Sequence, residues 1–207
     1  MSSSQNRVLL LFAHPSIERS EVNVDLLRAS RGVDRVTVVD LYGEYPDYRI
    51  DIEREQQRLR DHDTIIFMFP LYWYSTPALL KEWQDLVLEH GFAYGDGGDA
   101  LHGKLFLCAI TAGGAEKAYR AEGYNHFTLR QLLAPLEQTA DLTGMTYLAP
   151  FALFGSRTAL DEGRVGGHVE DWLTVLTALR DGKLDIELAG ELPKLKDDLQ
   201  RVTGGET

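Results

Sequence analysis

The stretch Val8-Leu9-Leu10-Leu11-Phe12-Ala13-His14-Pro15-Ser16-Ile17-Glu18-Arg19-Ser20 decides the fold. Its first six residues are continuously apolar, the pattern of a strand buried on both faces rather than of a half-exposed strand that alternates. A polar loop follows, and Ser20 is placed to cap a helix over Glu21 to Ser30. No Gly-x-Gly-x-x-Gly follows the strand, which argues against the Rossmann arrangement.

Working outward, the same apolar signature recurs at Val36–Val39, Thr64–Phe69, Leu105–Ile110 and, more weakly, Tyr147–Leu153. Pro150 cannot donate to a ladder, so the last run is expected at a sheet edge. Between the runs lie helical stripes. Leu79, Trp83, Leu86 and Val87 form one after Pro77, and Leu129, Leu132, Leu133, Leu136 and Ala140 form another. Val169, Trp172, Leu173, Leu176 and Leu179 form a third, ended by Gly182. Asp51 to Arg60 is charged and predicts an exposed helix. Strands alternating with helices imply a five-stranded parallel sheet covered on both faces, of order 2-1-3-4-5. Residues 1–186 are expected to form this domain, and 187–207 a polar C-terminal tail.

The bulk properties narrow the function. A chain of 207 residues suits one domain, and its 44% hydrophobic share is ordinary. The net charge of -11, with no basic cluster, disfavours nucleic acid. No run approaches the roughly 18 apolar residues of a membrane span, and the N-terminus carries no secretory pattern. The single cysteine, Cys108, sits in an apolar run and reads as a buried, inert thiol in a reduced, cytoplasmic setting. No Cys/His metal set, Gly-x-Ser-x-Gly elbow or Walker A loop is present.

In a 2-1-3-4-5 sheet the binding crevice lies at the carboxyl ends of the first and third strands, with the loop after the fourth beside it. The first loop brings His14, Arg19 and a helix start, Ser20-Glu21-Val22-Asn23, whose free amides suit a phosphate. The second is Pro70-Leu71-Tyr72-Trp73-Tyr74-Ser75-Thr76-Pro77. Its three aromatics read either as a stack for a planar ligand or as a dimer or core contact. The third, Thr111-Ala112-Gly113-Gly114, offers a hydroxyl and a paired glycine. Those glycines are expected to let the backbone approach a flat ring and to adopt positive φ. Tyr119 and His126 follow as a phenol and an imidazole suited to stabilising charge.

These loops, together with Tyr48-Arg49-Ile50-Asp51-Ile52-Glu53 and Gln56, His90-Gly91-Phe92-Ala93-Tyr94-Gly95 and Ala100-Leu101-His102-Gly103-Lys104, form an ordered set over about residues 7 to 180. The set resembles the NAD(P)H:quinone oxidoreductase family of flavodoxin-like flavoproteins, most nearly the ancillary oxidoreductases of glutathione-regulated potassium efflux systems. The resemblance implies a flavodoxin-like three-layer sandwich and a ping-pong, two-electron hydride transfer from NADH or NADPH to quinone-like acceptors. It implies a flavin phosphate near His14 and the Ser20–Asn23 helix start, with the ring against Leu71–Tyr74 and Thr111–Gly114. FMN is the cofactor favoured by the subgroup and FAD the alternative. Homodimers are implied, with the flavin at the subunit boundary.

The resemblance also carries a second reading, a regulatory subunit bound to a membrane potassium/proton antiporter, with a peripheral place at the inner face of the membrane. Two departures stand out. Relatives commonly have Thr-Thr-Gly-Gly where this chain has Thr111-Ala112-Gly113-Gly114. His126 lies one place past the animal enzymes' histidine position, which Asn125 occupies, while Tyr119 matches their tyrosine.

Overall fold

The computed structural model describes residues 5–20 and 22–204. Strands β1 (Val8–Phe12), β2 (Val36–Asp40), β3 (Thr64–Pro70) and β4 (Leu105–Ala112) are joined by helices. These are α1 (Asn23–Arg31), α2 (Leu41–Glu44), α3 (Ile52–Asp61) and α4 (Ala78–Val87). The sheet is wholly parallel, in the order 2-1-3-4-5. Its continuous apolar runs serve two cores. Leu9, Leu11, Phe67 and Phe69 pack on one face with Trp83, while Val8, Leu10, Phe12, Ile66 and Met68 pack on the other with Trp172. Period-two geometry thus makes every residue of β1 a core residue.

The fifth position differs from the single strand expected. It is split into β5 (Thr146–Tyr147) and β6 (Phe151–Phe154), both paired with β4. Phe106 faces Tyr147, but Ala109 faces Phe151, so Leu148-Ala149-Pro150 oppose only Leu107 and Cys108. This is a bulge, and Pro150, which has no N–H, sits in it. The helical stripe from Leu129 to Ala140 is likewise broken, into α5 (Leu129–Leu132) and α6 (Ala134–Leu142). Pro135 accounts for the break, since it cannot continue the hydrogen-bond ladder and crowds the preceding turn.

Helix α7 (Arg164–Arg180) closes the second face, and α8 (Ile186–Glu191), a 3-10 turn (Leu195–Asp198) and α9 (Leu199–Val202) follow. The segment expected as a polar tail is docked by three fully buried side chains, Ala189, Leu195 and Val202. Its apolar residues Leu188, Leu192, Leu195, Leu199 and Val202 do recur at helical spacing, but Pro193 interrupts the run and charged residues surround it, which gives the segment a polar appearance. The Asp51–Arg60 region is a helix as expected, but it carries a fully buried carboxylate, Glu55. Cys108 is buried on β4, and burial pushes its thiol up to about 12. Among the described residues no helix is long and apolar enough to cross a membrane.

His168 of α7 is buried, its ring stacked 4.5 Å from Phe151. Burial, reinforced by Lys196 and opposed by Asp171, holds its imidazole down at about 3. The unfolded chain takes up that proton near 6.5, so this stabilisation is complete above about pH 6.5 and is lost as pH falls toward 3. Moving from pH 7 to pH 5 is expected to cost about 2 kcal/mol at this residue. Urea unfolding across that range measures the loss, and His168→Leu should flatten it. An unchanged slope in that variant would assign the loss to other groups.

Candidate functional site

The carboxyl ends of β1, β3, β4 and β6 enclose a cavity of about 740 Å³. That size is within the usual range for a cofactor or substrate site. It stands beside the reversal in strand order, where an open α/β sheet leaves a crevice because its connections diverge to opposite faces.

The β1 side is set by a short polar network. Ser20 Oγ accepts from the Asn23 backbone N–H at 3.0 Å and from Asn23 Nδ2 at 2.9 Å. Ser20 therefore caps the helix start, although the regular helix begins only at Asn23. Asn23 Nδ2 also donates to Thr111 Oγ1 at 3.0 Å. This bond ties α1 to the end of β4 across 88 positions of sequence. The Thr111 hydroxyl expected to meet a ligand is thus engaged in fixing the cavity walls.

His14 is buried, and its Nδ1 accepts from the Ser16 N–H at 3.1 Å, which leaves the proton of the neutral ring on Nε2. Burial lowers its pKa, against the raising effect of Glu18 and Asp40. His14 is accordingly a neutral donor near pH 7. Arg19, Ser20, Val22 and Asn23 line the cavity beside it. Glu21 lies outside the described residues.

The aromatic loop forms the second wall. Leu71 N–H donates to the Thr111 carbonyl at 2.8 Å, continuing the β3–β4 ladder into the loop. Tyr72 and Ser75 form an isolated bridge. Between them Trp73 and Tyr74 have φ of 47° and 65°. The left-handed region is costly for bulky residues, and such strain is concentrated at functional sites. Among the described residues the N–H groups of Trp73, Tyr74 and Gly113 donate no hydrogen bond to the chain. Trp73 is 93% exposed at the cavity mouth.

Gly113 and Gly114 complete the floor, but neither has positive φ, contrary to expectation. Their role is spatial. A Cβ on Gly113 would stand 3.2 Å from Arg157 Nε, and one on Gly114 would stand 3.2 Å from the Tyr119 ring. Ala112, also expected at the site, is buried in the core and does not line the cavity. A hydroxyl at that position would be buried too, so its loss in this chain removes nothing from the cavity surface.

Tyr119 lines the cavity and packs on Phe154 at 5.1 Å. Its pKa is raised, chiefly by burial and further by Tyr74, while the Gly114 N–H beside it acts in the opposite sense. The phenol therefore stays protonated and able to donate. His126 is not brought to the site. It is exposed, with φ of 61°, and is absent from the cavity lining. The neighbouring Asn125 instead accepts from Tyr74 Oη at 3.2 Å. A one-residue offset in the turn thus decides which side chain meets Tyr74, and neither of the two lines the cavity.

Two lining residues were missed from the sequence, Ser156 and Arg157, just beyond β6. The signal was Gly155-Ser156-Arg157 directly after the last apolar run, at the same sheet edge as the other three loops. With Arg19, Arg157 gives the cavity two guanidinium groups, and no carboxylate side chain lines it among the described residues. In a chain of net charge -11 this is a local reversal of sign, suited to an anionic ligand.

The family described as having a flavodoxin-like fold matches residues 6–176. The glutathione-regulated potassium-efflux system ancillary protein KefG of Cronobacter sakazakii is 50% identical over 175 residues, covering 84% of this chain and 95% of that protein. General stress protein 14 of Bacillus subtilis is 46% identical over 156 residues, covering 75% and 89%. The solved general stress protein 14 of Treponema denticola, in complex with FMN, has a TM-score of 0.79 at 38% identity, covering 84% of this chain and 99% of that one. The match takes in all four loops of the cavity. The chain thus belongs to the flavodoxin-like NAD(P)H oxidoreductase family, alongside the ancillary proteins of glutathione-regulated potassium-efflux systems.

Proposed function

We propose that the cavity holds FMN and that the protein is an NAD(P)H:quinone oxidoreductase. The observation that carries this reading is the cavity itself, which joins an electropositive pocket at a helix start to a flat floor with unpaired backbone N–H groups. The α1 start, the neutral His14 donor and Arg19 suit a phosphate. The Gly113–Gly114 floor and the Tyr72–Tyr74 wall suit a planar ring, with the N–H groups of Trp73, Tyr74 and Gly113 free to meet its polar edge. The relative from Treponema denticola was solved with FMN, which supports that flavin over FAD.

When bound, the flavin supplies hydride chemistry between a reduced nicotinamide and a quinone-type acceptor, which occupy the same site in turn. The chain supplies placement and electrostatics. The Ser20–Asn23–Thr111 network holds two walls in register. Arg157, beside Gly113, presents positive charge where negative charge would develop. The protonated Tyr119 phenol is able to donate a hydrogen bond at the same rim. Because Arg157 shares that task, Tyr119→Phe is expected to lower kcat/KM for a quinone only about two- to threefold, the low end of a neutral hydrogen bond's contribution. Steady-state kcat/KM with a benzoquinone measures it. A collapse of a hundredfold or more would make the phenol the principal proton donor.

The visible spectrum of the purified protein tests the main reading. Flavin absorbance that bleaches with NADH or NADPH and returns with quinone is the expected result. No flavin after incubation with excess FMN and FAD would refute it. A homodimer is part of the same proposal, because Trp73 is exposed beside Tyr72 and Tyr74 at the cavity mouth, and a partner subunit would cover them.

A second reading rests on the relatives named as ancillary proteins of potassium-efflux systems, at 46–50% identity. On that reading the protein binds a membrane potassium/proton antiporter and raises its flux. Flux stimulation that survives in a variant unable to bind flavin would make binding, rather than turnover, the function.

A further inference from the structure

The family match ends at residue 176, yet the chain continues as a packed segment to residue 204. Helix α8, the 3-10 turn and α9 form a strap along β5 and β6. The Ala149 N–H donates to the Ala189 carbonyl at 2.7 Å, and the Leu195 N–H donates to the Pro150 carbonyl at 3.1 Å. The strap therefore satisfies the backbone of the bulge. Arg130 of α5 donates to the carbonyls of Gly190 and Leu192 at 2.7 and 3.0 Å. Lys196 pairs with Asp171 of α7 at 2.6 Å.

Facing the strap is the loop that carries Tyr119. From Gly113 to Thr128 no residue is fully buried, and of these only the half-buried Tyr119 packs against the core. Its base is held by the Gly155 N–H, which donates to the Gly114 carbonyl at 2.8 Å, and Tyr119 rests on Phe154; beyond these and the exposed Tyr74–Asn125 bond, the one ion pair that ties it to the rest of the domain among the described residues is Lys194 Nζ to Glu116 Oε1 at 2.7 Å. Glu116 opens a 3-10 turn (Glu116–Ala118), and its carbonyl accepts from the Tyr119 N–H at 3.0 Å. Asp197 holds the same ammonium at 3.0 Å from the strap side. A second cavity, of about 390 Å³, lies between loop and strap, with Tyr119 and Arg120 on one wall and Pro193 and Lys194 on the other. The loop has room to shift, and the ion pair spans that room.

We propose that the C-terminal strap is a positioning element of the redox site, in which Lys194, through Glu116, holds the turn that sets Tyr119 at the cofactor cavity. The consequence for turnover rests on the quinone-reductase reading; the tether does not. The pair is partly exposed, 20% at Lys194 and 52% at Glu116. Pairs of that kind change an equilibrium by about fivefold at most.

The test compares the full-length chain with Lys194→Met, Glu116→Gln, the double variant and Lys194→Arg. Hydrogen exchange is followed at Ala118 and Tyr119 with and without FMN, and KM and kcat are measured for a benzoquinone. Each single variant is expected to speed exchange at those amides about threefold and to raise the quinone KM by a similar factor, within the range of such pairs. Turnover number should stay within about twofold. The double variant should do no more than either single one, and Lys194→Arg should match the wild type. Exchange unchanged in Lys194→Met, single effects that add, or faster exchange with KM unaltered would each overturn the proposal, leaving the strap as a cover for the sheet edge. Absence of turnover in the wild type would instead overturn the quinone-reductase reading, since exchange is also read on the flavin-free chain.

Discussion

Gly113→Val is expected to weaken FMN binding by about tenfold to a hundredfold while leaving the fold intact. Gly113 is exposed and its φ lies in the region open to all residues, so valine adds no backbone strain. Its Cβ would stand 3.2 Å from Arg157 Nε, and the branched methyls would extend into the cavity floor. The guanidinium would have to move and the floor would rise, so both shape and charge at the site suffer. Titration of the flavin-free variant with FMN, followed by fluorescence quenching, gives the affinity directly. Wild-type affinity together with normal unfolding would show that the ring does not lie on this loop.

Glu55→Ala is expected to destabilise the chain by about 3–5 kcal/mol, the usual cost of breaking a buried charged network by removing one partner. The Glu55 carboxylate is fully buried. It accepts from Tyr45 Oη at 2.6 Å and from Trp83 Nε1 at 3.0 Å, and it pairs with Arg58. Removing it strands two buried donors and a partly buried guanidinium. The effect reaches the site through α4, which carries Trp83 and begins directly after the aromatic loop. The urea midpoint should fall with an unchanged m-value. A loss under about 1 kcal/mol would mean that water or neighbouring groups replace the carboxylate.

The contrast between Glu55 and Leu59 shows where reading the chain reaches its end. Both are buried on α3, one turn apart on the same face, but Leu59 is apolar and Glu55 looks like one more charge on a solvated helix. Only the approach of Tyr45 and Trp83 from other elements makes its burial tolerable. The strand runs behave differently. Val8–Phe12 and Thr64–Phe69 are apolar at every position because both faces of those strands are core. That property is written locally, and together with the alternation of strands and helices and the missing dinucleotide-binding glycines it led to the sheet order and to the crevice at its carboxyl edge.

By itself, then, the sequence determined the parallel sheet, its order, and three of the four loops that wall the cavity. Continuous apolar runs, helical stripes and turn residues are short-range signals, each complete within a few residues. The tertiary structure decided the rest. It spent the Thr111 hydroxyl on Asn23, brought Arg157 beside Gly113, and turned Asn125 toward Tyr74 in place of His126. It also docked the C-terminal strap on the bulge at Pro150. Each of these depends on which residues meet across long separations of chain, and on register and loop direction to within one residue. Partners of that kind are set by packing the whole domain, because no local pattern encodes the distance between two side chains on different elements.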